Sequence, residues 1–153
     1  MFQFEGKNVS SNISRFKIII EKMENFDIEG ILYNEFYGVA IDFQGIRQML
    51  SRLDDFFDYV NFPQATHAAR SFRDEPVRAE KQPPQGLREI APEELSDRPA
   101  TFLLHVQFRR NSTWQGTLEW ISEKRTKRFR SELEMIGWIA ETLQQPNYEG
   151  ISL

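Results

Sequence analysis

The chain has 153 residues and a formal net charge of −4, with thirteen Phe, three Trp, four Tyr and no Cys. That supply of large apolar side chains excludes a disordered chain, and the charge gives the whole molecule no drive toward nucleic acid or an anionic membrane. The lack of Cys excludes a disulfide framework, a thiolate zinc site, a redox pair and a cysteine nucleophile. The opening MFQFEGKNVSSN has neither a basic n-region nor an apolar h-region, and no apolar run is long enough to span a bilayer. The expectation is therefore a cytoplasmic protein with no membrane partner.

Residues 15–23, RFKIIIEKM, read as a strand with Phe16, Ile18 and Ile20 on one face. A turn follows at Asn25, a residue type that tolerates positive φ. A second strand runs over 28–34 and carries Gly30, matched by Gly116 further on, which suggests a bulge or a close backbone approach such as a neighbouring aromatic ring lying over that spot. A third, shorter strand ends at Phe43. A helix then starts at Gly45, with Gln48 at its third position, and places Ile46, Met49, Leu50, Leu53, Phe57 and Val60 on one face before Pro63 stops it.

Residues 64–99 hold five of the seven prolines and read as a connector, with a short helix at 91–98. The pattern then recurs. Phe102, Leu104 and Val106 share a strand face, Asn111 opens a turn, and Trp114, Gly116, Leu118 and Trp120 line a second strand. A third strand ends at Phe129. Ser131 and Glu134 form a capping box for a helix whose face is Met135, Ile136, Ile139 and Leu143.

Sliding residues 16–57 onto 102–143, an offset of 86, superposes Asn25 on Asn111, Gly30 on Gly116, Leu32 on Leu118, Phe43 on Phe129 and Met49 on Met135 without a gap. The expected fold is α+β. A tandem β-β-β-α repeat (1–63 and 100–153) joins edge to edge in a pseudo-two-fold antiparallel sheet of about six strands, with both helices on one face. The first repeat carries six Lys/Arg against ten Asp/Glu and the second seven against six, so the first is acidic and the second mildly basic.

Chemistry-bearing residues are sparse. His67 lies in a loop and His105 in mid-strand, where a histidine is usually a packing or hydrogen-bonding residue. Asp54, Asp55 and Asp58 read as a solvated helix face, with no further oxygen ligands for a cation. No nucleophile elbow, phosphate loop or H-E-x-x-H occurs. The run Asn111-Ser112-Thr113-Trp114-Gln115-Gly116 resembles half of a cyclic-di-GMP-binding PilZ motif. The arginine half is missing, since Arg73 and Arg78 have the wrong spacing. The expectation is a non-enzyme with no catalytic residue, no metal and no cofactor.

Two surfaces stand out. In the first repeat Ile19, Met23, Ile31 and Tyr33 fall on the sheet face opposite the helices, where polar residues belong. They form an apolar patch that needs a cover. The cover is the N-terminal segment with Phe2 and Phe4, the connector with Phe72 and Val77, or a protein partner. In the second repeat Arg109, Arg110, Lys124, Arg125, Lys127 and Arg128 make a basic hairpin near Trp114 and Trp120. Its element order resembles that of the integrase-arm type of DNA-binding domain. The first surface points to a protein-interaction or adaptor module or to self-association. The second points to the alternative, a nucleic-acid-associated regulator.

Val106, Phe108, Arg109, Asn111, Thr113-Trp114-Gln115-Gly116, Trp120, Phe129-Arg130-Ser131 and Glu134, together with Asn61-Phe62-Pro63-Gln64-Ala65, resemble a family of short uncharacterised proteins of gut anaerobic bacteria. The likeness covers most of 16–65 and 101–145. It implies the repeat architecture and a bacterial cytosolic setting, and it brings no established activity and no catalytic residue.

Overall fold

The computed structural model describes residues 11–25, 27–66 and 82–144. A 3-10 turn, Ser11–Ser14, leads into β1 (Arg15–Glu24), β2 (Asp27–Asn34), β3 (Val39–Gln44) and helix α1 (Ile46–Val60). Two short strands follow, β4 (Ala65–Thr66) and β5 (Leu87–Glu89), then a 3-10 turn at Pro92–Leu95. The chain continues as β6 (Phe102–Arg110), β7 (Thr113–Trp120), β8 (Arg125–Phe129) and helix α2 (Glu132–Leu143). The turns between β1 and β2 and between β6 and β7 hold Asn25 and Asn111 at φ 54° and 55°. This is the left-handed region that Asn enters more readily than most residues.

The fold is α+β. Seven strands lie antiparallel in the order β5-β3-β2-β1-β6-β7-β8, and β4 runs parallel beside the far end of β6. The strand count exceeds the expected six because the connector supplies β5 and β4 forms just after α1. The central seam pairs β1 with β6, setting Phe16 opposite Leu104, Lys17 opposite Leu103 and Ile18 opposite Phe102.

One core lies between sheet and helices. Phe16, Ile18, Leu32, Phe43, Leu104, Val106, Leu118 and Phe129 meet Leu53, Phe56 and Phe57 of α1 and Met135 and Ile139 of α2, all 3% exposed or less. Both helices therefore pack on the same sheet face. Phe16 meets Phe56 edge-on at 5.0 Å between centroids, and Phe57 meets Trp114 edge-on at 5.4 Å, so α1 reaches across to β7. Truncating one of these side chains to Ala costs about 3–5 kcal/mol.

Both long hairpins carry a bulge, between Ile20 and Lys22 in β1 and between Val106 and Phe108 in β6. Gly30 pairs with Ile20 and Gly116 with Val106. A Cβ at either glycine would overlap the carbonyl oxygen of Ile19 or His105 across the hairpin. The glycines thus answer to backbone closeness at a bulge; an overlying ring is not the reason. Each bulge inserts one residue, so every side chain beyond it changes face. Met23 and Arg109 turn toward the helices, and Phe108 turns away.

The helix starts follow their sequences. Ser131 Oγ accepts from the Glu134 N–H at 3.2 Å, and the Glu134 carboxylate accepts from the Arg130 N–H at 2.8 Å. Gly45 has no side-chain cap to give, and Asp27 Oδ1 accepts from the Ile46 N–H at 2.8 Å in its place. In the second half the tie runs the other way. Glu132 of α2 accepts from the Trp114 N–H at 3.1 Å and from the Thr113 hydroxyl at the start of β7.

Candidate binding surface on the outer sheet face

The sheet face opposite the helices divides into a covered and an uncovered part. Over β1–β3, Ile19, Ile31, Tyr33 and Ala40 pack against Ile90 and Leu95 of the connector and Ala100 just beyond it. The connector is fastened along this path. The Ile90 N–H donates to the Gly38 carbonyl at 3.0 Å and the Thr101 N–H to the Ile18 carbonyl at 2.9 Å. Arg98 pairs with Glu21 at 2.7 Å and Arg88 with Asp42 at 3.3 Å.

This arrangement corrects the apolar patch expected as a partner surface. Ile19, Ile31 and Tyr33 do share the outer face, but they are 3%, 1% and 5% exposed and form a second small core. Met23 is not among them, because the bulge at Glu21 sends it to the helix-side core. Phe2, Phe4, Phe72 and Val77, named as covers, lie outside the described residues, as does His67.

The basic residues of the second half likewise do not form one surface. Arg109 is 6% exposed on the helix side of β6. Its guanidinium donates to the Asp58 carboxylate at 2.8 Å and its Nε to the Pro63 carbonyl at 2.6 Å, and Asp54 lies 3.6 Å away. It leaves the nucleic-acid group and acts as a latch between α1 and β6. Asp54 and Asp58 are accordingly not a merely solvated helix face. Asp54 also accepts from the Trp114 indole N–H at 3.3 Å. Partial burial, helped by the neighbouring Asp58 and Asp55 charges, pushes the Asp54 carboxyl above its usual range against the pull of the Trp114 hydrogen bond and Arg109.

The remaining cations separate by face. Lys127 lies on the helix side with its ammonium 5.4 Å from the Trp138 ring centroid. Arg125 alternates with it on that side. Lys124 sits in the turn before β8 at φ 53°. Arg128, paired with Thr117, and Arg110, paired with Thr113, fall on the outer face. There Phe108 is 46% exposed, and the Arg110 guanidinium lies 4.2 Å from its ring centroid. Sequence reading missed Phe108, although the bulge signalled by Gly116 is what turns it outward.

Between the covered and uncovered parts lies a cavity of about 190 Å³. Arg15 and Lys17 of β1, Tyr33 of β2, Leu103 of β6, Glu35 and Phe36 are among the residues that line it. Beside it His105 is 8% exposed, with Nε2 placed to donate to the Ser11 carbonyl at 3.1 Å. Burial, then the neighbouring Arg15 charge, push the imidazole below its ordinary range, against the pull of the Ser11 hydrogen bond, so it is neutral near pH 7. Among the described residues no three His, Asp or Glu converge as metal ligands.

No family model matches the chain, and neither does any curated protein or solved structure. Among the described residues no helix is long and apolar enough to cross a membrane.

Proposed function

We propose that the chain is a non-enzymatic binding module of the bacterial cytosol, built from two copies of one β-β-β-α unit, and that its outer face over β6–β8 takes single-stranded nucleic acid. The duplication is supported by positions 86 residues apart: β2 and β7, the two bulges, Gly30 and Gly116, Asn25 and Asn111, and the starts of α1 and α2. The seam agrees, since Lys17 pairs with Leu103, the residue at its own position in the other unit. The likeness to proteins of gut anaerobes supports the bacterial setting.

The observation that carries the ligand class is Phe108, exposed on an antiparallel sheet beneath Arg110, with Arg128 on the same face. Unpaired bases stack on an exposed ring and on a guanidinium plane, while neighbouring arginines meet the phosphates. The absence of catalysis is supported by His105, whose ring faces a backbone carbonyl and Arg15 instead of a carboxylate.

A gel shift with mixed single-stranded DNA and RNA at low salt tests this reading. The expected shift fades as salt rises and is lost with Phe108→Ala or with Arg110→Gln/Arg128→Gln. No shift at low salt, or a shift indifferent to these changes, overturns it. Strand β8 favours a second reading as a protein adaptor. It ends the sheet, and Arg125, Thr126, Lys127 and Arg128 are all exposed. An acidic extended segment adding to this basic edge is the partner that fits. Saturable binding of a poly-glutamate peptide, with no gel shift, would select it.

A further inference from the structure

The cavity between the covered and uncovered parts of the outer face has a composition of its own. Arg15 and Lys17 are two residues apart on β1, so both rise on the same side of the sheet. Lys17 is flanked by Tyr33 on one neighbouring strand and Leu103 on the other. Elsewhere on the surface, Lys22 pairs with Glu24, Arg88 with Asp42 and Arg98 with Glu21. Arg15 and Lys17 make no ion pair among the described residues. Glu35 is the one carboxylate among the side chains lining the cavity, so two positive charges face one negative charge.

We propose that this cavity binds a small organic oxyanion, a carboxylate or phosphate monoester carried on an aromatic or apolar body. Arg15 and Lys17 hold the anionic oxygens by charge-assisted hydrogen bonds. Tyr33 supplies a neutral donor, because burial and then Glu35 and Glu93 push its hydroxyl above its usual range. Phe36, 47% exposed, and Leu103 supply the apolar part of the lining. The volume of about 190 Å³ lies below the range of about 300–1,000 Å³ typical of drug-sized ligands, which limits the occupant to about one ring and one charged group. The site is separate from the nucleic-acid reading, which rests on Phe108 and Arg110.

Titration of the full chain with phenyl phosphate, benzoate and neutral benzamide, followed by amide chemical shifts of residues 15–17, 33–36 and 103, tests the proposal. Saturation by phenyl phosphate or benzoate is expected, and which of the two binds tighter separates phosphate from carboxylate. The double variant Arg15→Gln/Lys17→Gln, both at the surface, should bind about tenfold more weakly or worse. Phe36→Ala should weaken phenyl phosphate and leave inorganic phosphate unchanged. Phe108→Ala should leave the titration as it is, which keeps the outcome independent of the gel shift. The proposal is overturned if neither anion saturates by about 10 mM, a concentration that already allows very weak binding. It is equally overturned if benzamide binds as well as benzoate, or if the double variant binds like the parent.

Discussion

Residues 15–60 and 102–143 present nearly the same inner face and opposite outer faces. Toward the helices the matched positions are Phe16 and Phe102, Ile18 and Leu104, Leu32 and Leu118, Phe43 and Phe129, and Met49 and Met135, all buried in one core. Toward the outside they are Ile19 and His105, Ile31 and Thr117, Tyr33 and Glu119, and Ala40 and Thr126. The apolar member of each outer pair lies beneath the connector, and its polar counterpart does not. The composition of an outer sheet face thus reports what crosses it. Helix packing requires the inner face of both halves to be apolar, whereas at these matched outer positions the side chain is apolar where the connector is laid over it and polar where it is not. The exposed Phe108 stands apart from that rule.

The largest effect expected from this contrast is at Ile31. Ile31→Ser removes a side chain that is 1% exposed and leaves a hydroxyl against Ile90 and Leu95. A loss of about 3 kcal/mol should appear in urea unfolding. Thr117→Ser, at the matching position in the other half, should stay within about 0.5 kcal/mol. Ile90→Ser should reproduce much of the Ile31 effect from the connector side. If Ile90→Ser leaves the midpoint unmoved, the connector does not hold the face it covers.

Most of the fold was legible because it rests on short-range patterns. Alternation in β1 and β6, the Asn turns, the Ser131–Glu134 box and the helical stripes each repeat within a few residues. What stayed hidden followed from one residue at each bulge. Gly30 and Gly116 signal a bulge, yet a strict period of two runs straight through them. That period groups Met23 with Ile19 and leaves Arg109 among the cations of the basic hairpin. The cover was hidden for a different reason. Ile90 and Leu95 are isolated apolar residues in a polar connector, and nothing local says which face they meet. The cavity joins residues from β1, β2 and β6, a convergence that only the strand order reveals.

The next effect in size falls at Arg109. Its counterpart in the first half is Met23, which packs toward the same core. Arg109→Ala should cost about 2–3 kcal/mol, through lost stem packing and the loss of partners for the Phe57 and Pro63 carbonyls. Arg109→Met should recover more than half of that, because an apolar replacement of similar volume substitutes well for a buried ion pair. Asp54 and Asp58 are 54% and 41% exposed and can return to water. A Met variant as unstable as the Ala variant would show that the latch, and not the packing, holds α1 to β6.

The strand–helix ties offer a finer comparison. Asp27 reaches from the start of β2 to the first turn of α1, while Glu132 reaches from α2 back to the start of β7. The acceptor has changed sides, yet each carboxylate answers backbone N–H groups that would otherwise lack a partner. Asp27→Ala and Glu132→Ala should each cost about 1 kcal/mol in thermal or urea unfolding. A tie whose loss costs nothing would mark its half as held by the core alone.

The smallest effect separates His105 from Ile19, its apolar counterpart. The folded imidazole is held below its ordinary range, first by burial and then by Arg15. Below the ordinary histidine pKa of about 6.5 the unfolded chain therefore binds more protons than the folded one. Stability contributed by the neutral ring is full above that pH and is lost as pH falls toward the depressed folded value. One proton limits the slope to about 1.4 kcal/mol per pH unit. Asp54 acts with the opposite sign, since its raised carboxyl favours the folded state at low pH and loses that advantage as pH rises above 3.8. His105→Gln keeps an N–H for the Ser11 carbonyl and removes the titration. Urea midpoints compared at about pH 7.5 and about pH 5.5 should drop in the parent and flatten in the variant. A variant that drops as steeply as the parent would place the acid sensitivity elsewhere, and would make the second half no more pH-responsive on its outer face than the first.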